Sequence, residues 1–301
     1  MTITAAILVM FSAILHASWN LFSKSRSPTV VFFQLATVGT VVWFSPILFF
    51  ASDLLIKISY SIWGILIIAG LFQAIYYTGL AGAYARGAMS IAYPLARSLP
   101  LLFVTALTSF VGHSQELSVT AIVGITAIVV GSFILPINRI KDVHFNNYVN
   151  PSCAFAVLAA VGTAGYSFVD DIGMNMLKLI QSDAEGWMRA LLYLVLECVF
   201  TIIWLQILIF SSHQLTADFR LNWRNLLRPS LFTGLVIGVT YGIILLAMTL
   251  STNVSYVVGM RQLSIPIGAL MGMFILKEQT SIPRLIGVGI LFAGLVLLSL
   301  G

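Results

Sequence analysis

Charge is what this chain has least of. Lys, Arg, Asp and Glu make up 8% of its 301 residues, whereas 59% are hydrophobic and mean hydropathy is +1.02. A soluble domain is typically about 25% charged, and so few charges cannot cover an ordinary aqueous surface, so a soluble enzyme is excluded. Cysteine is equally sparse. Cys153 and Cys198 both fall inside apolar runs, with spacing unlike any metal motif. No disulfide framework follows from them, and they read as small buried hydrophobes. Short alternating segments of about 10 residues, the mark of an outer-membrane barrel, are missing. Met1 to Met10 has no basic residues, and its apolar stretch continues past His16 to Phe22, so the N-terminus reads as a retained spanning helix and not a signal peptide.

Long apolar runs take the place of charge. Pro28 to Ala51 and Pro229 to Thr252 contain no formal charge, and about 20 apolar residues suffice for a spanning helix. Ten candidate spans emerge: 3–22, 28–50, 61–84, 88–110, 118–136, 151–170, 188–210, 229–250, 253–275 and 282–300. The longer connections are Ile137 to Asn150, Asp171 to Trp187 and Ser211 to Arg228, none large enough for a folded domain. The last mixes Phe219, Leu221, Trp223, Leu226 and Leu227 with Arg220, Arg224 and Arg228. That mixture suits either a helix lying in the membrane interface or a basic cytoplasmic loop.

Basic residues sort by side. Connections after spans one, three, five, seven and nine hold Lys24, Arg26, Arg86, Arg139, Lys141, Arg220, Arg224, Arg228, Lys277 and Arg284, and the opposite set holds Lys57, Lys178 and Arg189. The positive-inside rule makes the first set cytoplasmic and puts both termini outside. This bias accounts for the net charge of +5, so no nucleic-acid partner is implied.

An internal repeat is visible. At one constant offset, Gly70, Tyr77 and Ala83 of span three fall on Gly234, Tyr241 and Ala247 of span eight. Gly124 and Gly131 of span five fall likewise on Gly287 and Gly294 of span ten, preceded by Glu116 and Glu278. Ala17, Trp19, Asn20 and Leu21 sit over Ala164, Tyr166, Ser167 and Phe168. These matches argue for a duplicated five-helix unit, residues 1–136 and 151–301, joined by 137–150. A duplicated unit with an odd number of spans inserts its second copy upside down. Inverted repeats of that kind belong to transporters, with substrate sites near the midplane between the repeats.

LHASWNLFSK (Leu15 to Lys24), YARGAMSIAYPLARSLP (Tyr84 to Pro100) and FILKEQTSIPRLIGVGILFAGLVLL (Phe274 to Leu298), together with the 5+5 pattern, resemble the ten-helix EamA-type branch of the drug/metabolite transporter superfamily. The resemblance covers essentially the whole chain. It implies export or import of small metabolites, including amino acids, through a central cavity lined by both repeats. The membrane-embedded Glu that small multidrug exporters of the superfamily carry in their first helix has no counterpart here, which weighs against a cationic drug.

Three charges lie deep inside spans: Arg97, Glu197 and Arg261. Each is roughly 12–14 Å from its helix start at 1.5 Å per residue, close to the middle of a core of about 30 Å. A charge there costs about 2.5–3.5 kcal/mol even on the lenient insertion scale, so each needs a partner, water or a substrate. One alternative is a buried Arg to Glu pair fastening span four or nine to span seven. Pro100 and Pro266 each remove a backbone donor beside one of the arginines, and Pro94 adds a second irregularity to span four. Broken helices at membrane depth are tolerated where they line a cavity.

Trp19, Tyr77, Tyr93, Tyr166, Tyr241 and Tyr256 are aromatic candidates for the cavity wall, with core filling as the alternative. His16 is a candidate proton carrier, or else a satisfied polar contact. Gly234, Gly238 and Gly242, with Ser264, Gly268 and Gly272, read as packing seams, and Asp170 and Asp171 as a solvated helix end. The expected protein is an all-α membrane protein and not an enzyme, sited in a bacterial inner membrane. It needs no cofactor or metal, is a monomer or weak homodimer, and has lipid and a small-molecule substrate as partners. Its function is expected to be secondary transport, in the export direction, of a zwitterionic or anionic metabolite such as an amino acid. Arg97 and Arg261 would hold the substrate's anionic group, and Glu197 would hold an ammonium or couple to protons. The alternatives are a lipid or lipid-linked head-group flippase, or a transporter of a cationic metabolite such as choline.

Overall fold

The computed structural model describes residues 2–24, 29–86, 96–97, 99–101, 103, 118–134, 137, 151–180, 185–251, 254–267, 271 and 281–300. Regular structure among them is helical throughout: α1 (Ile3–Lys24), α2 (Val30–Phe44), the short α3 (Ile47–Phe50) and α4 (Ser52–Ile56), α5 (Tyr60–Arg86), α6 (Val119–Ile134), α7 (Pro151–Ile180), α8 (Gly186–Ser211), α9 (His213–Thr249), α10 (Val254–Arg261) and α11 (Ile282–Leu300). Four of these, α5, α7, α8 and α9, are long and apolar enough to cross a membrane, and shorter apolar stretches lie in α1, α2, α6 and α11. Outward-facing side chains are apolar as well, among them Phe49, Ile56 and Leu179, the last 86% exposed. The chain is a helical membrane-embedded protein.

Helix ends follow local chemistry. Thr29 caps α2 by accepting from the Phe32 amide. The helix stops at Phe44 because Pro46 has no N–H to continue the ladder, and Ser45 closes it by donating to the Val41 carbonyl at 2.7 Å. α7 departs from expectation, since it runs through Asp170 and Asp171 to Ile180 instead of ending there. No proline interrupts that stretch, and Gly173, Met174 and Leu177 continue its buried face. The segment 211–228 is neither an isolated interfacial helix nor a loop. Ser212 alone separates α8 from α9, whose first turns carry Arg220, Arg224 and Arg228. At 1.5 Å per residue the 37 residues of α9 extend about 55 Å, well beyond a core of about 30 Å. Pro229 marks the change from its polar stretch to its apolar one.

α5 packs along α7, α6 along α11, α9 against α1 and α2, and α8 against α5, α2 and α9. Backbones touch at glycine. A Cβ at Gly162 would stand 2.5 Å from the Tyr76 nitrogen, and one at Gly79 would stand 2.5 Å from the Ala159 nitrogen. Across the α6/α11 seam, Gly124 and Gly294 each meet the other's carbonyl oxygen at 2.7 Å in the same way. Two indoles tie helices together in a matching manner: Trp43 of α2 donates to the Leu231 carbonyl of α9, and Trp204 of α8 donates to the Ile67 carbonyl of α5, both at 3.1 Å.

Candidate functional site

The deep charges converge where α1, α5, α7, α8, α9 and α10 meet. Arg97, 5% exposed, donates through a terminal nitrogen to the Ser264 hydroxyl at 2.7 Å. Arg261, 8% exposed, ends α10 and donates to the Tyr166 hydroxyl at 3.3 Å, with its guanidinium carbon 6.0 Å from that ring's centre. Ser264 lies one turn beyond Arg261, so one short stretch of chain carries one guanidinium group and the hydroxyl that accepts from the other.

That stretch is broken. α10 gives way to turns at Gln262 and Leu263 before residues 264–267 resume helix. The cause is Pro266, which supplies no N–H to the Gln262 carbonyl. The amide of Ile265 takes that carbonyl instead, at 2.8 Å, in a tighter turn.

Tyrosines line the junction. Tyr76 and Tyr77 of α5 lie 5.1 Å apart, Tyr76 faces Tyr166 edge-on at 5.9 Å, and Tyr166 faces Tyr241 edge-on at 5.6 Å. Tyr77 also stacks on Phe33 at 4.9 Å. On α1, the Trp19 indole donates to the His16 ring at 3.2 Å, and His16 in turn faces Arg97 and Arg261. Tyr93 and Pro94 lie outside the described residues, as does the Tyr256 side chain. Pro100 is buried within the short helical stretch 99–101.

Two expectations need correction. Asp170 is not solvated: it is fully buried, accepting from Tyr193 at 3.1 Å on one oxygen and from Tyr241 on the other, and it faces Arg261. Ser264 accepts from Arg97, and Gly268 and Gly272 of its small-residue stripe lie outside the described residues. The Asp170 signal lay in spacing, because Tyr166, Asp170, Gly173, Met174 and Leu177 share one buried helical face. Arg189, expected in a loop, is buried on α8.

The junction's hydrogen-bonding capacity is not filled from within. Neither oxygen of Glu197, 1% exposed, has a hydrogen-bond partner among the described residues, and neither do Nε of Arg97 and one terminal nitrogen of Arg261. No ion pair joins Glu197 to either arginine among those residues, so the buried-pair alternative finds no contact to rest on. A separate cavity of about 740 Å³ opens where the C-terminal end of α5 meets the starts of α2 and α9. Its wall includes Thr78 and Ala81 of α5, Gln214 and Asp218 of α9, and Arg86, whose guanidinium lies 4.5 Å from the centre of the Phe155 ring.

No family model and no curated protein matches the chain. A solved crystal structure, described only as that of a protein, matches at a TM-score of 0.65 and 17% sequence identity, covering 99% of this chain and 98% of its own. The two share a fold. At that identity the likeness reaches no further than architecture, and what the junction does must be argued from its own atoms.

Proposed function

We propose that the chain is a secondary transporter of a small zwitterionic metabolite of the amino-acid class, with its site at the junction of Arg97, Arg261, Asp170 and Glu197. The carrying observation is the set of buried, unfilled polar atoms of mixed sign. An unsatisfied buried polar group costs about 1–3 kcal/mol, and more when charged. Two guanidinium groups with free donors fit a carboxylate through bidentate bonds, and a carboxyl group without donors fits an ammonium. Asp170 balances one arginine, which favours a zwitterion over a purely anionic substrate.

On this reading the protein is an EamA-type drug/metabolite transporter of a bacterial inner membrane, with ten spans, two inverted five-helix repeats and both termini outside. The paired indole bonds support the repeat, since α2 reaches α9 as α8 reaches α5. So does the reciprocal approach of Gly124 and Gly294 across α6 and α11. Alternating access would then rock one repeat against the other around the fixed junction, with the cavity beside Arg86 as one mouth. It works without cofactor or ATP site.

A cationic metabolite such as choline is the second reading. It is favoured by the two buried carboxyl groups among tyrosines, since aromatic faces and carboxylates both attract quaternary ammonium. Proteoliposomes containing the full chain separate the two. Uptake of labelled neutral L-amino acids well above that of protein-free vesicles supports the zwitterion, and uptake of choline alone supports the cation. Uptake of neither, with fluorescent lipid flipped instead, would overturn both.

A further inference from the structure

A hydroxyl inside a spanning helix has a local way to be satisfied, since it can donate to the carbonyl one turn earlier. Thr37, Thr78, Ser132, Thr201, Thr233 and Thr240 all do so, at 2.6–2.9 Å. Two hydroxyls of α7 do not. Thr163 and Ser167 are 4% and 0% exposed, and neither has a hydrogen-bond partner among the described residues. On α5 the side-chain oxygen of Gln73, 5% exposed, is equally without a donor. Ser230 of α9 shares that lack, but it stands one turn before Gly234, on the face that packs on α2.

Gln73, Thr163 and Ser167 belong to one wall of the junction. On α7, Thr163, Ser167 and Asp170 follow at intervals of four and three residues, with Tyr166 between them, so they share a face. Tyr166 and Asp170 are tied to the junction through Arg261, Tyr193 and Tyr241. On α5, Gln73 precedes Tyr76 and Tyr77 by one turn, and the Tyr76 ring faces Tyr166. A glycine contact sets the register between the two helices. A Cβ at Gly162 would stand 2.5 Å from the Tyr76 nitrogen and 2.8 Å from the Phe72 carbonyl oxygen. Gln73 is therefore level with Thr163, and Ser167 lies one turn further along α7, toward Asp170.

We propose that Gln73, Thr163 and Ser167 form the side-chain subsite of the transporter and select a zwitterionic substrate that bears one hydroxyl group. This rests on the transport reading above and narrows its substrate from neutral amino acids to hydroxy amino acids. Matching capacities carry the choice. A hydroxyl has one donor and two lone pairs. Gln73 Oε1 takes the donor, and the Thr163 and Ser167 hydroxyls donate to the lone pairs. An apolar side chain in the same place leaves all three buried groups unpaired, and a site built to bond a hydroxyl rejects an analogue that lacks one. A side-chain amide fits less well, because its NH2 brings two donors and Gln73 offers the one pure acceptor. The charged ends of the substrate stay with Arg97, Arg261, Asp170 and Glu197.

L-threonine and L-valine share a branched shape and differ by a hydroxyl in place of a methyl, and L-serine and L-alanine repeat the comparison in a smaller frame. Titration calorimetry of the purified full chain in lipid nanodiscs reads both pairs. The wild type should bind threonine more tightly than valine, and serine more tightly than alanine, by about tenfold or more in Kd. Ser167→Ala, Thr163→Val and Gln73→Leu each remove one polar group, and each should shrink the threonine-to-valine ratio by about threefold or more. A purely structural role lowers Tm and keeps the ratio, so a ratio that survives all three variants overturns the subsite. Should a variant fail to fold, the wild-type ratios decide alone. Equal affinity for threonine and valine, the result if the three groups only hold an ordered water, overturns the subsite and leaves the transport reading standing. Tighter binding of glutamine or asparagine than of threonine overturns the hydroxyl assignment. Binding of none of these amino acids overturns the subsite and the transport reading together.

Discussion

The glycine seams and the charged junction are built on opposite principles. Along α5/α7 and α6/α11, glycines bring backbones together so closely that no Cβ fits, and the contact is complete within the protein. Such close approach is how helices associate in lipid, where apolar burial alone gives no advantage over lipid tails. At the junction, each helix brings a polar group whose partners are only partly supplied: Arg97 has Ser264, Arg261 has Tyr166, and Glu197 has none at hydrogen-bonding geometry. Packing is finished at the seams, and hydrogen bonding is unfinished at the junction. The difference separates what holds the protein together from what it handles.

Substitutions should respect that division. The largest loss is expected where the junction is structural, at Asp170. Asp170→Ala strands two buried phenol donors, which should cost about 1–3 kcal/mol for each. Equilibrium unfolding in mild detergent measures it, and a loss under about 1 kcal/mol would put Asp170 outside the scaffold. Gly162→Val comes next, because its side chain would meet the backbone at Tyr76. Overpacking of this kind typically costs about 1–3 kcal/mol, and it should lower stability without altering ligand preference in the same assay. A substitution at Gly162 that changed preference would blur the line between seam and site.

Arg97→Gln and Arg261→Gln should do the reverse of Gly162→Val. Each keeps a polar chain of similar reach, and each should weaken binding by about 1.5–3 kcal/mol, the worth of a charge-assisted hydrogen bond, which is roughly 10- to 100-fold in Kd. The smallest effect belongs to the tryptophans. Trp43→Phe and Trp204→Phe each remove one indole bond, so each should cost about 0.5–1.5 kcal/mol. Equal losses would sharpen the equivalence of the two halves, and a large inequality would break it.

Legibility in the sequence followed the same division. Arg97, Glu197 and Arg261 stand out because a formal charge inside an apolar run is anomalous on its own. Glycine spacing likewise pointed to Gly124, Gly131, Gly287 and Gly294, and these meet in pairs across α6 and α11, Gly124 with Gly294 and Gly131 with Gly287. Asp170 was misplaced because a carboxylate beside Asp171 after an apolar run looks like a helix end. Only the continuing face of Met174 and Leu177 shows that the helix goes on. Ser264 was hidden by a stripe of small residues, since nothing local distinguishes a serine that packs from one that accepts from an arginine on another span. Ser211 to Arg228 misled for a related reason: amphipathic composition specifies a helix but not whether it joins its neighbour end to end.

The central claim is that the junction binds a zwitterion, and thermal-shift titration of the purified full chain with neutral L-amino acids tests it most directly. The account predicts that at least one amino acid raises the wild-type Tm in a saturable way. Arg97→Gln and Arg261→Gln should remain monodisperse and lose that rise, and esterifying the ligand carboxylate should abolish it. A rise that persists in both Gln variants, with only their ligand-free Tm lowered, would make the arginines structural and contradict the account.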